Sequence, residues 1–364
     1  MKTRNKILLA TNLSRESDDA VGAAIQLVNS IGGEVELMNV LPSSGIFGPL
    51  IASMEARVRE QLQEVKQRCE KAGCGRVTVR IVKGDTYHEI VSHAETSDVS
   101  LVMLGGGYRA KDLQPRLGTT AERLMRQCYK PVWIVRPGGP KEISDILCPV
   151  DMSAHSVRAA RNAIRLCRHT GASLHVVHVV CSLSDFHPSL AEDLVDETLT
   201  ARHFSAQERD FEALLSTLKL SGIKWRKSIL RGEIHTKIIE QAGHDGSQLI
   251  VMGSQGWSDR SHLLMGSVAS KVSIAFPCSI LMVKDVDAIQ ETMETTLGQV
   301  WRHYERGQLL LKDNRAEEAI EQFKICIGHN RLFSKAWFGL ADAYDCHGNQ
   351  GEAARCREIA GKLC

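Results

Sequence analysis

The chain has 364 residues, with 45 Lys and Arg against 43 Asp and Glu and a formal net charge of +2. That length exceeds one ordinary hydrophobic core and predicts two or three domains, and the even charge balance excludes the basic stripe of a nucleic-acid binder. The early apolar run from Ile7 to Ala10 is too short for a signal peptide or a membrane span. The 11 cysteines are scattered without zinc-finger spacing, Cys69 and Cys74 being the closest pair outside the tail. A cytoplasmic protein with free thiols, binding neither nucleic acid nor membrane, is the expectation.

In chain order, short apolar runs read as strands at 6–11, 34–41, 76–82, 99–104 and 131–136, with an amphipathic helix at 17–30. The same order returns at 145–150, 173–180, 223–229, 248–252 and 279–283, with a helix at 156–169. The two halves are copies. KILLATNLS (6–14) aligns with DILCPVDMS (145–153), RIVKGD (80–85) with SILRGE (228–233), and LVMLGG (101–106) with LIVMGS (249–254). LGTTAERLM (117–125) aligns with MGSVASKVS (265–273), and the second half carries a longer insert between Cys181 and Gly222. Strands alternating with helices imply parallel strands and right-handed crossovers. The fold class is therefore α/β, with two doubly wound, parallel, five-stranded domains in tandem at 1–138 and 141–285. No strand is readable after Asp285, and 298–364 reads as a small all-α tail.

The stretch VMGSQGWSDRSHLLMGSVASK (251–271) follows the fourth strand of the second half. In an open parallel sheet, ligands bind beyond the carboxyl ends of the strands where the strand order reverses. Gly253 and Gly256 would let the loop backbone approach a ligand. Gly266 and Ser267 open a helix, whose start offers free N–H groups and a positive dipole end. Ser267 is either its N-cap or a phosphate donor. Asp151, at the end of the first strand, would accept from an adenine amine or a ribose hydroxyl. The bland alternatives are that the glycines serve the turn alone and that Asp151 or Ser153 caps the next helix.

These residues carry a resemblance to the universal stress protein family. Its ATP-binding members share Gly, two residues, Gly, nine residues, Gly, then Ser or Thr, matched here by Gly253, Gly256, Gly266 and Ser267. The family's Pro-Val-Asp is matched by Pro149, Val150 and Asp151, and its His-Val by His178 and Val179, whose valine backbone contacts adenine in the family. The resemblance implies a flavodoxin-like fold and an adenine nucleotide, ATP or else AMP or ADP, with Mg as its companion. Met252 and Val268 join the implied binding set. It also implies pairing of the two halves through their fifth strands as an intramolecular pseudo-dimer. The first half departs from the pattern: Asn12 stands for Asp151 and Tyr108 for Gly256, while Gly105, Gly118 and Thr119 are kept. Its site reads as degenerate. GGGYRA (105–110) mimics a dinucleotide fingerprint but follows the fourth strand rather than the first.

The tail repeats at an offset of 34, pairing Gly307 with Ala341, Leu310 with Tyr344, Ala319 with Ala353 and Cys326 with Ala360. It resembles the tetratricopeptide repeat, with Trp337, Leu340, Tyr344, Gly348, Ala353 and Ala360 matching in the second copy. Arg357 departs there, as do His303 and Arg306 in the first copy. Such repeats stack to bury their cores, and two are few, which points to a protein partner or self-association, homodimerisation included. The leading expectation is a nucleotide-binding regulatory protein of the stress response. A slow ATPase using Asp259, Arg260 and His262 and a nucleotide-free scaffold are the alternatives. No catalytic residue and no metal ligand is assigned.

Overall fold

The computed structural model describes residues 5–43, 48–108, 115–140, 142–181, 197–256, 265–289, 295–329 and 333–363. The chain divides into two compact units, one over 4–289 and one holding the tail from 290 onward. The first half of the large unit runs β1 (Lys6–Ala10), α1 (Ser17–Ile31), β2 (Glu34–Leu41), α2 (Gly48–Lys71), β3 (Arg76–Lys83), α3 (Thr86–Thr96), β4 (Leu101–Gly105), a short hairpin β5 (Gly107–Tyr108) and β6 (Pro115–Arg116), α4 (Thr119–Gln127) and β7 (Val132–Val135). The second runs β8 (Asp145–Pro149), α5 (Ala154–Thr170), β9 (Ser173–Val180), α6 (Glu197–Thr217), β10 (Trp225–Arg231), α7 (Ile234–Asp245), β11 (Leu249–Gly253), α8 (Ser267–Ala275) and β12 (Ser279–Val283). All ten strands read from the sequence form, with ends shifted by at most two residues. The β5–β6 hairpin and helix α6 inside the insert are elements that the reading of the sequence did not assign.

The strands are apolar on both faces because helices cover both. Ile7 and Leu9 point into the layer that holds α1, α2, α5 and α6, while Leu8 points into the layer of α3, α4, α7 and α8. Local chemistry sets the helix ends. Ser153 accepts from the Ser156 amide at 3.2 Å to start α5, and Gly171 ends it in the left-handed region at φ 77°. Asp85 starts α3 in the same way, accepting from the His88 amide. Among the described residues no helix is long and apolar enough to cross a membrane.

The sheet order is β10-β9-β8-β11-β12-β7-β4-β1-β2-β3. Every neighbouring pair is parallel except the middle one. There β12 meets β7 antiparallel, with Ile280, Leu281 and Met282 opposite Ile134, Trp133 and Val132. Side chains reinforce this seam. The Phe276 ring lies where a Cβ on Gly106 would come within 2.6 Å of it, so Gly106 serves close packing. The Arg136 guanidinium donates to the Phe276 carbonyl at 3.2 Å. Lys284 is buried and donates to the Met125 carbonyl.

The tail unit holds α9 (Thr295–Lys312), α10 (Ala316–His329), α11 (Ser334–Cys346) and α12 (Gln350–Lys362), each packed on the next. Its core centres on Phe323, whose ring occupies the space a Cβ on Gly307 or Gly339 would need, at 2.6 and 2.5 Å. The offset of 34 holds in the backbone as well. Asn314 at φ 57° and Gly348 at φ 84° each turn the chain between paired helices. The amides of Arg315 and Asn349 then reach back to Leu310 and Tyr344.

Burial lowers the Lys284 ammonium from 10.5 to about 8. Between these two values the unfolded chain binds the proton that the folded chain has released, so raising the pH favours folding. This group should add up to roughly 3 kcal/mol of stability as pH rises from 8 to 10.5. Urea unfolding of wild-type and Lys284→Met chains across that window checks this: the stability of the wild type relative to the variant should rise with pH, whatever the thiols common to both chains contribute.

Candidate functional site

In the second half the order of strands reverses between β8 and β11, and a cavity of about 1010 Å³ opens there beyond the strand ends. The sequence-predicted residues converge on it: Pro149 ends β8, Val150 and Asp151 follow it, and Val179 comes from β9. Met252 and Gly253 end β11, Gly256 follows in the loop, and Gly266, Ser267 and Val268 enter α8.

After Asp151 the chain turns sharply through Met152, a non-glycine residue at φ 62°. The Ser153 amide donates to Asp151 Oδ1 at 3.0 Å and fixes the carboxylate. Ser153, not Asp151, caps α5. The other oxygen, Oδ2, lies 2.6 Å from where a Cβ on Gly256 would stand, so Gly256 makes room for the carboxylate. Gly253 also serves packing. A Cβ there would lie 2.8 Å from the His155 carbonyl carbon and 3.0 Å from the Ser156 amide. Its missing side chain lets β11 pack against the start of α5, while the residue itself lines the cavity.

Ser267 is not the N-cap of α8. Gly266 is, at φ −60° and ψ 154°, with no side chain closing the helix start. The Gly266 amide donates to the Ser254 carbonyl at 2.8 Å, which sets α8 beside the end of β11. The opening amides of α8 and the positive end of its dipole therefore border the cavity, and no Lys or Arg occurs among the described lining residues. Asp259, Arg260 and His262, together with Trp257, lie outside the described residues.

His178 is buried and built into the wall. Its Nδ1–H donates to the Val150 carbonyl at 2.8 Å, Nε2 lies 3.1 Å from the Gln207 side chain, and Phe211 packs against the ring. Val177 takes the Val150 amide at 2.8 Å. Strand parity then turns the Val179 peptide to the same side, into the space β8 has left. Helix α6 forms a further wall through His203, Gln207, Asp210, Leu214 and Thr217. Their spacing of four, three, four and three is a helical stripe, a signal present in the sequence of the insert.

The first half repeats the backbone with other chemistry. Leu13 sits at φ 61°, the counterpart of Met152. Asn39 replaces His178 and donates to the Thr11 carbonyl at 2.7 Å. Asn12 is exposed, its Oδ1 taken by the Ser14 amide at 3.1 Å. Tyr108 belongs to the β5–β6 hairpin, and its hydroxyl lies 3.0 Å from where a Cβ on Gly138 would stand.

These contacts separate packing glycines from open ones. Gly253→Ala should destabilise the large unit by roughly 1–3 kcal/mol, as other overpacking changes do. Gly118→Ala, with nothing within 4 Å of its Cβ position, should stay within about 0.5 kcal/mol. Urea unfolding of both variants is the check.

Comparison with known proteins agrees with this fold. The sequence model of the universal stress protein family matches residues 3–136 and again 142–284. A universal stress protein of Methanocaldococcus jannaschii is 32% identical over 145 residues, covering 38% of this chain and 81% of its own. One from Mycolicibacterium smegmatis is 24% identical over 303 residues, covering 78% of this chain and 98% of its own. The crystal structure of a universal stress protein from Archaeoglobus fulgidus superposes with a TM-score of 0.58 at 23% identity, over 78% of this chain and 99% of that one. With both halves matched in turn, the chain belongs to the universal stress protein family, as a tandem of two such domains followed by a helical tail.

Proposed function

We propose that the second half binds an adenine nucleotide, ATP or one of its hydrolysis products, and that the protein is a cytoplasmic regulatory member of the stress response. One observation carries this reading. A fixed carboxylate, Asp151, and the uncapped amides of α8 border the same cavity at the reversal of strand order. The carboxylate suits a hydroxyl or amine of the nucleoside, and the amides suit phosphate oxygens. The valine-rich walls suit a flat base. With no Lys or Arg on the described walls, Mg would enter with the phosphates as their counter-charge. In the first half, Asn12 offers no charged acceptor, and its site stays degenerate.

The test is the nucleotide released when freshly purified protein is denatured. About one per chain is expected; two would mean that the first site is live. None, with no uptake from MgATP, would leave a scaffold. The Gly266→Val change is informative because the φ of −60° admits valine without backbone strain. It should cost one charge-assisted hydrogen bond or more, roughly 1.5–3 kcal/mol each, and so weaken ATP binding about 10- to 100-fold. Titration calorimetry with unchanged affinity would remove the cradle.

A second reading concerns the tail, which resembles tetratricopeptide repeats and leaves Leu309 and Phe338 exposed at 40% and 41%. We read it as a surface for protein association, with a second copy of the chain as the simplest partner. Leu309→Glu with Phe338→Glu should lower the sedimentation-derived dimer fraction and spare nucleotide content. A chain that is monomeric at every concentration would rule out self-association.

A further inference from the structure

Helix α2 ends in a motif that brings two thiols together. The Cys74 amide donates to the Cys69 carbonyl at 3.0 Å, and the Gly73 amide to the Glu70 carbonyl at 3.1 Å. Gly73 lies between them in the left-handed region at φ 90°. This is the Schellman arrangement, in which the third residue from the helix end and the second beyond it touch side chain to side chain. Those two positions usually hold apolar residues. Here they hold Cys69 and Cys74, both free. The Asn29 side chain donates to the Ala72 carbonyl at 2.8 Å and holds the turn against α1.

We infer that Cys69 and Cys74 form a reversible disulfide site, oxidised by hydroperoxides and restored by dithiol reductants. The 6→1 hydrogen bond places the two residues at the short separation disulfides require, roughly 4.4–6.8 Å between Cα atoms. The two roles follow from the contact. Both side chains belong to one buried cluster, and the proximity of the two sulfurs raises the Cys69 thiol and lowers that of Cys74. The proton stays on Cys69, and Cys74 is the more available thiolate. Burial pushes other thiols the opposite way, Cys128 to about 11 and Cys167 and Cys278 to about 12. Cys74 is itself 5% exposed, but Ala72, Gly73, Gly75 and Arg76 around it are all exposed, so the turn sits at the surface.

The chemistry balances. The Cys74 thiolate attacks one peroxide oxygen, the O–O bond breaks, and the departing hydroxide (or alkoxide) takes a proton, leaving a sulfenic acid. The Cys69 sulfur then attacks the sulfenic sulfur, the S–O bond breaks, and the leaving hydroxide departs as water with the Cys69 proton. Two thiols lose two electrons, and the peroxide is reduced by two. The bond ties the end of α2 to the start of β3 and replaces a contact already made, so it forms without rearranging the fold.

The sequence makes the product easy to read. Trypsin cuts after Arg68, Lys71 and Arg76, so the two cysteines fall on separate peptides, CEK (69–71) and AGCGR (72–76). Full-length protein is treated with hydrogen peroxide, alkylated under denaturing conditions and digested. A linked CEK–AGCGR pair is expected, formed at least about tenfold faster than any loss of the fully buried Cys148 thiol and reversed by dithiothreitol. In Cys69→Ala the link cannot form, and Cys74 should accumulate a sulfenic acid that dimedone traps. Cys74→Ala should protect Cys69 to the level of Cys148. Two separately alkylated peptides in the wild-type chain, or dimedone labelling of Cys74 with no link, would overturn the proposal.

Discussion

Three residue pairs between β7 and β12 make one sheet out of two. Each half alone would end in an uncovered fifth strand, and an exposed edge of that kind invites uncontrolled pairing. Joining the two fifth strands antiparallel removes both edges and points the carboxyl ends of the two half-sheets in opposite directions. The two potential ligand crevices therefore cannot merge. The seam also explains side chains that a ligand would not. Phe276 needs Gly106 to be bare, and buried Lys284 is held by a backbone carbonyl across the seam.

Within each half the backbone is more faithful than the chemistry. Leu13 and Met152 take the same left-handed turn, within a degree of each other. Asn39 and His178 donate to equivalent carbonyls from equivalent strands. At the amino ends of the strands the charges change places. In the first half Glu36 lies on β2 and takes His93 of α3 at 3.0 Å. In the second, His175 lies on β9 and meets Asp245 of α7. Burial would raise both carboxyls, but hydrogen bonds from His93, Lys6 and Arg80 hold Glu36 low, and those from His175 and Arg226 bring Asp245 to about 2. What is kept is a paired charge in a fixed place, because an unpaired one there would be costly.

The glycines of the second half show how one pattern serves several forces. Gly253 allows a strand to touch a helix, Gly256 yields to a carboxylate, and Gly266 starts a helix without a capping side chain. Spacing in the sequence identifies all three and says nothing of which force acts on each. The reason is that a glycine records only the absence of a Cβ, and the atom that would have met it belongs to a distant segment.

The sequence by itself determined the strands, the tandem repeat, the helical tail and the residues gathered at the end of β8 and β11. Period, apolar runs and internal alignment are local properties, and a parallel α/β chain expresses them strongly. Only the tertiary structure decided that Ser153 rather than Asp151 caps α5, that Gly253 packs against His155, and that α6 walls the cavity from inside the insert. Each depends on which of several competent donors or faces comes within hydrogen-bond or contact distance across long stretches of chain. The stripe of α6 is present in the sequence as helical spacing, but a helix face does not name its neighbour. Cys69 and Cys74 show the same limit at short range. Five residues apart, they become a contacting pair because Gly73 turns the helix end back on itself.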